Sequence, residues 1–195
     1  MEGPGFSGKL PRRYGFYHTS RSWNNSTRVE LTNKTLGEVF CLSILKLKKK
    51  QIFTIGHSTR SIDEFLEILK HYQIETLVDI RRFPKSVRNP HFSKKVLEEK
   101  LPANGIRYVW IEKLGGFRKG GYEEYIKTKD FQEGFKTLIE ISRKSTTAVM
   151  CAELLWFRCH RRFIATALTE ETWCVVHIYN KERKEIHRTN EAKSL

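Results

Sequence analysis

The sequence predicts an α/β domain, a mostly parallel sheet of about five strands with helices on both faces, as a single domain behind an amino-terminal extension. Two observations predict it. Short apolar runs alternate with segments of helical period between residues 52 and 178, and chains that alternate in this way fold as parallel sheets covered on both sides. The reactive side chains also gather just beyond the apolar runs, at the edge of such sheets where ligands sit.

The first strand is the run Ile52-Phe53-Thr54-Ile55, closed by Gly56-His57-Ser58. Ser61-Ile62-Asp63-Glu64 then matches a capping box, opening a helix whose buried stripe is Phe65, Ile68, Leu69 and Tyr72. A second strand covers residues 76–80 and runs into Arg81-Arg82-Phe83-Pro84, where the proline stops regular structure. Strand, helix and strand make a βαβ unit. Ser93 caps a helix through Val96, Leu97 and Leu101, ended by Pro102 and Asn104-Gly105. Residues 106–111 form a third strand, followed by the glycine-rich stretch 114–121. Asp130-Phe131-Gln132-Glu133 starts the next helix, to about Lys144. The fourth strand takes residues 147–152, a helix residues 159–171 and a fifth strand residues 173–178. Residues 181–195 read as a charged tail, and residues 1–50 as a basic, mostly disordered extension with at most one short element around 36–47.

The chain carries a net charge of +14, which suits an anionic partner, either a small molecule or a nucleic acid. Half of the excess lies in the first fifty residues, where ten Lys and Arg face three Asp and Glu. No apolar run approaches the roughly 20 residues of a membrane helix, and the amino terminus lacks the apolar stretch of a secretory signal. Four cysteines are too few for a disulfide framework in a chain of 195 residues. A cytoplasmic protein with reduced thiols is expected. The pattern names neither a cofactor nor an oligomeric state.

The densest chemistry lies in residues 147–167, where a strand hands over to a helix through two thiols (Cys151, Cys159), a carboxylate (Glu153), an imidazole (His160) and three arginines (Arg158, Arg161, Arg162). Cys159 is placed at a helix start beside Arg158, His160 and Arg161, a field that favours thiolate. The same field binds phosphate, with Arg60, Arg81, Arg88 and Arg118 as further donors from neighbouring strand ends. Glu153 and Asp79 are the candidate acid and base, against a plainer role as salt-bridge partners of Arg161 and Arg81. His57 serves either as a proton shuttle or as a loop fastener. Trp110, Trp156 and Phe157 stack on a base or pack a core. A metal held by Cys151, Glu153, Cys159 and His160 is chemically reasonable, but the eight-residue gap between the cysteines argues against it, and no metal is assigned. A redox pair of Cys151 and Cys159 is open as well. No phosphate loop or dinucleotide fingerprint occurs.

Five ordered motifs resemble the domain-of-unknown-function family 488: Thr54-Ile55-Gly56-His57-Ser58-Thr59-Arg60; Val78-Asp79-Ile80-Arg81-Arg82-Phe83-Pro84; Ser86-Val87-Arg88-Asn89-Pro90-His91-Phe92; Leu114-Gly115-Gly116 with Arg118; and Cys151-Ala152-Glu153 with Cys159-His160-Arg161. The resemblance spans residues 51–179. It implies a compact α/β domain with its active site in those motifs, among them Gly115 and Gly116, and brings no substrate with it. Family members usually begin at the first strand, so the first fifty residues are an addition here. Three functions stand at this stage. The leading one is a small enzyme acting on a phosphate-bearing, nucleotide or nucleic-acid-related substrate through a Cys/Glu/Arg site. The others are a non-catalytic nucleic-acid-binding module and a thiol redox or metal-binding protein.

Overall fold

The computed structural model describes residues 50–85 and 88–189. The basic extension and its short element, and the last six residues of the tail, lie outside the described residues. Six strands form one sheet in the order β3-β2-β4-β1-β5-β6. They are β1 (Gln51–Gly56), β2 (Thr76–Asp79), β3 (Arg107–Trp110), β4 (Thr147–Cys151), β5 (Cys174–Ile178) and β6 (Lys184–Ile186). The first five are parallel, and β6 alone runs antiparallel, along β5. The helices are α1 (Ile62–His71), α2 (Lys94–Ala103), the single turn α3 (Tyr122–Tyr125), α4 (Lys129–Ser142) and α5 (Arg161–Glu170).

Strand side chains alternate between two faces, and both are covered. Phe53, Ile55, Leu77, Ala148 and Met150 meet Phe65, Leu69, Leu97 and Leu101 of α1 and α2. Ile52, Val78, Ile80, Val149 and Cys151 meet Phe131, Phe135 and Leu138 of α4 and Ile164 and Leu168 of α5. The expected mostly parallel α/β sheet is therefore what the chain forms.

The elements differ from expectation in three places. A sixth strand arises inside the expected charged tail. Asn180 turns the chain by accepting from the backbone N–H groups of Glu182 and Arg183, and an edge strand tolerates the charges that hid it. Helix α4 is capped by Thr128, whose hydroxyl accepts from Phe131 N, rather than by Asp130. Helix α2 runs through Pro102 to Ala103 instead of stopping there. Cys151 and Cys159 are free thiols, as expected. Ser61 does cap α1, its hydroxyl accepting from Glu64 N at 3.1 Å. Among the described residues no helix is long and apolar enough to cross a membrane.

Candidate functional site

The chain leaves β1 towards β2 and β3, and leaves β4 in the opposite direction towards β5, so the strand order reverses between β1 and β4. Ligand crevices of parallel sheets open at such a point. Here the crevice is roofed. Strand pairing continues past the sheet, with His57 N donating to Cys151 O and Ser58 N to Ala152 O, both at 2.9 Å. The backbone of Glu153 then crosses directly over Gly56, where a Cβ would stand 2.0 Å from the Glu153 carbonyl oxygen. Only glycine fits that position. Arg161 fastens the roof from beneath, donating to the carbonyls of Glu153 and Leu154 and, at 3.5 Å, to Thr54 Oγ1.

With that crevice filled, the reactive groups meet one strand over, between β4 and β2. Cys151 ends β4, and Cys159 and His160 immediately precede α5. His160 Nε2 lies 3.2 Å from the Ile80 carbonyl. A carbonyl only accepts, so Nε2 carries a proton, and Nδ1 is the nitrogen that faces the thiols. Nδ1 lies 3.6 Å from Cys159 Sγ and 4.0 Å from Cys151 Sγ. The Tyr122 ring flanks the imidazole at 5.0 Å between centroids, and Tyr122 itself is held by its hydroxyl donating to Leu114 O at 2.7 Å. A hydrogen bond from Cys151, then His160 and the Arg161 charge, hold the Cys159 thiol well below its ordinary range, against the opposing effect of burial. Cys151 moves up, through the same hydrogen bond and its own burial. One proton is thus shared unevenly by two thiols, and Cys159 is the one that loses it.

Beside this group sits a second, largely buried assembly. Asp79, with no exposed surface, takes the Arg81 fork: Nε to Oδ1 at 2.9 Å and a terminal nitrogen to Oδ2 at 2.6 Å. The Tyr108 hydroxyl also donates to Oδ2 at 2.7 Å. Burial first and the Asp79 charge second push the Tyr108 phenol up, which keeps it a donor. His57 donates from Nδ1 to Ser58 O at 2.9 Å and accepts at Nε2 from Arg81 at 3.3 Å, its ring stacked 4.2 Å from Phe92. Burial, and then the Arg81 charge, lower its pKa to about 4. Both ring nitrogens are committed, as are both Asp79 oxygens. Trp110 completes the assembly by donating to Arg81 O at 2.8 Å.

The remaining predicted residues divide by the direction their heads face. Arg60 turns inward to the carbonyls of Gly56 and Tyr179 and pairs with Glu64 at 3.2 Å. Arg118 donates to Gly115 O at 2.9 Å and Glu112 O at 2.7 Å, closing the glycine loop on itself. Arg161 is 1% exposed, and its Nε has no hydrogen-bond partner. Of the predicted arginines, Arg88, Arg158 and Arg162 are the exposed ones. Glu153 is exposed too, and Arg161 meets its backbone carbonyl. Trp156 stacks 4.2 Å over His177 and donates to Glu185, a packing role. Gly115 and Gly116 are there for close approach to protein: a Cβ on Gly115 would stand 2.6 Å from Arg82 Cα, and one on Gly116 2.9 Å from His160 Nδ1.

Tyr108 and Tyr122 were not picked out from the sequence. Their signal was the placement of a tyrosine in the third strand and another directly after the glycine loop, both ordinary positions for packing. Cys151, Cys159 and His160 offer three donor atoms within 4.8 Å of one another, a grouping that the eight-residue gap between the cysteines concealed. Neither a curated protein nor a solved structure matches the chain. A family model described as "Domain of unknown function DUF488" matches residues 61–168, a span that takes in the Asp79–Arg81 assembly, the glycine loop and the Cys151–Cys159–His160 group. As that is more than half of the chain, the protein belongs to the domain-of-unknown-function family 488.

Proposed function

We propose that this chain is an enzyme whose nucleophile is Cys159, with His160 as its proton acceptor, acting on an electrophilic centre of an anionic substrate. The observation that supports it most is the fixed orientation of His160, with Nε2 on the Ile80 carbonyl and Nδ1 directed at Cys159 Sγ. In the step this arrangement suits, the Cys159 proton already rests on Nδ1, the thiolate Sγ bonds to the substrate as the bond to the departing group breaks, and the imidazolium gives that proton to the departing group. Water or a second acceptor then releases the product from sulfur. Cys151 donates to the thiolate, and the buried Arg161 charge stabilises it. Asp79, Arg81, Tyr108 and His57 are positioning residues that hold the end of β2, and so the carbonyl on which His160 depends. Of the two predicted acid–base carboxylates, Glu153 alone faces solvent, with Oε1 accepting from Leu155 N at 3.3 Å.

A metal centre at the same three groups is the alternative. Their donor atoms are close enough to share an ion, and a ligating histidine typically donates its other nitrogen to a carbonyl, as His160 does. One experiment separates the two. The full chain is treated with a maleimide at neutral pH, digested and mapped, and a second sample is analysed for metal. The enzyme proposal expects labelling of Cys159 well ahead of Cys151 and a metal content far below one per chain. A full equivalent of metal, lost on Cys151→Ser and His160→Ala alike, would replace the nucleophile with a Cys2His centre.

A further inference from the structure

Three large apolar side chains stand exposed among the described residues: Phe83 at 64%, Phe117 at 90% and Phe157 at 46%. They occupy the loops that follow β2, β3 and β4, which are three neighbouring strands, all at the carboxyl edge of the sheet. Each is tied to the same imidazole. Phe83 lies three residues beyond Ile80, whose carbonyl holds His160. Phe117 directly follows Gly116, which packs on the His160 ring, and Phe157 lies three residues before His160 itself. The loops bearing Phe83 and Phe117 are joined, Arg82 donating to the Phe117 carbonyl at 2.5 Å while its guanidinium lies 5.3 Å from the Phe83 ring.

Phe117 is the most telling of the three. Its φ of 56° lies in the left-handed region, which bulky side chains rarely adopt and which persists where the surroundings enforce it. The enforcing contacts are the Arg82 bond to its carbonyl and the Arg118 bonds that close the loop behind it. Together they hold the ring out in water beside the thiol site. The same three loops also carry exposed cations, Arg88, Lys119 and Arg158. Protein interfaces concentrate apolar groups at a centre depleted of charge. Exposed aromatic faces on loops that also carry exposed cations suit instead a ligand that offers bases and phosphates together.

We infer that this rim is a platform for single-stranded nucleic acid. Bases stack on Phe83, Phe117 and Phe157, phosphates lie against the cations of the same loops, and the strand crosses the Cys159–His160 group. A single strand is required because paired bases keep their faces on one another. The inference rests on the proposed thiol site and names its substrate class.

The test compares two labelled strands of equal length and charge, about twelve nucleotides each, one bearing bases and one abasic, by fluorescence anisotropy with the full chain. Any general pull of the basic extension acts on both strands, so their difference isolates stacking. The base-bearing strand is expected to bind about tenfold tighter or more. Phe117→Ala and Phe117→Gly should each remove most of that preference and leave the abasic strand unaffected. Equal binding of the two strands, or an unchanged preference in both Phe117 variants, overturns the platform. Selective maleimide labelling of Cys159 alongside such a result would leave the thiol proposal standing, so the two failures are distinguishable.

Discussion

At the scale of single residues, the molecule spends its arginines on itself. Arg60, Arg118 and Arg161 each cap backbone carbonyls of the loops that shape the site, and Arg81 is locked to Asp79. Removing one partner of a buried pair leaves the other charge unsatisfied. Asp79→Asn should therefore lower stability by about 3 kcal/mol, measured as a reduced urea midpoint, and should disturb the site through Arg81 and His57. Gly116 makes a sharper case. An added methyl would stand 2.9 Å from His160 Nδ1, so Gly116→Ala should displace the imidazole and slow alkylation of Cys159 at neutral pH about tenfold or more, with a melting temperature near wild type. Unchanged alkylation would mean that the loop yields instead.

At the scale of elements, strand positions were legible because apolar runs bounded by glycine, proline and capping residues report them directly. The first four strands and α1 lie where those signals put them. The same signals placed the reactive groups on one sheet edge, since every strand of a parallel sheet ends there. What the residues did not reveal was direction. An arginine after a strand looks alike whether its head faces solvent, as with Arg88, or a carbonyl, as with Arg161, because both choices depend on a loop crossing from elsewhere in the chain. The close approach of Cys151 to Cys159 is equally a product of the Glu153 backbone folding over Gly56. Strand β6 escaped notice because its charges suit an edge. The α4 cap is a local matter: Thr128→Ala removes the acceptor for Phe131 N and should cost about 1 kcal/mol by denaturant titration, with the site's thiol reactivity unaffected.

At the scale of the whole molecule, the buried histidines link stability to pH. His57 and His187 have pKa values lowered to about 4, and His177 to about 2, each chiefly by burial. His177 bridges Thr54 at 2.7 Å and His187 at 3.0 Å, so the neutral forms are built into the sheet. In the unfolded chain all three titrate near 6.5. The unfolded state therefore binds more protons below that pH, and the stability these residues contribute is complete above about 6.5 and drains away as pH falls towards 4. A shift of this size in His57 alone represents about 3 kcal/mol. The melting temperature should fall steadily between pH 7 and pH 4.5, and a flat profile would show that the histidines become charged in place.

The thiol pair at the centre of the molecule is tested most directly by the rate of Cys159 alkylation, followed by mass spectrometry as a function of pH in the wild type and in His160→Ala. A thiolate held by Cys151, His160 and Arg161 together predicts a rate already at its plateau at pH 7 in the wild type, and in the variant a profile displaced to higher pH. Matching profiles in the two proteins, both rising only above pH 8, would contradict the assignment of Cys159 as an activated nucleophile.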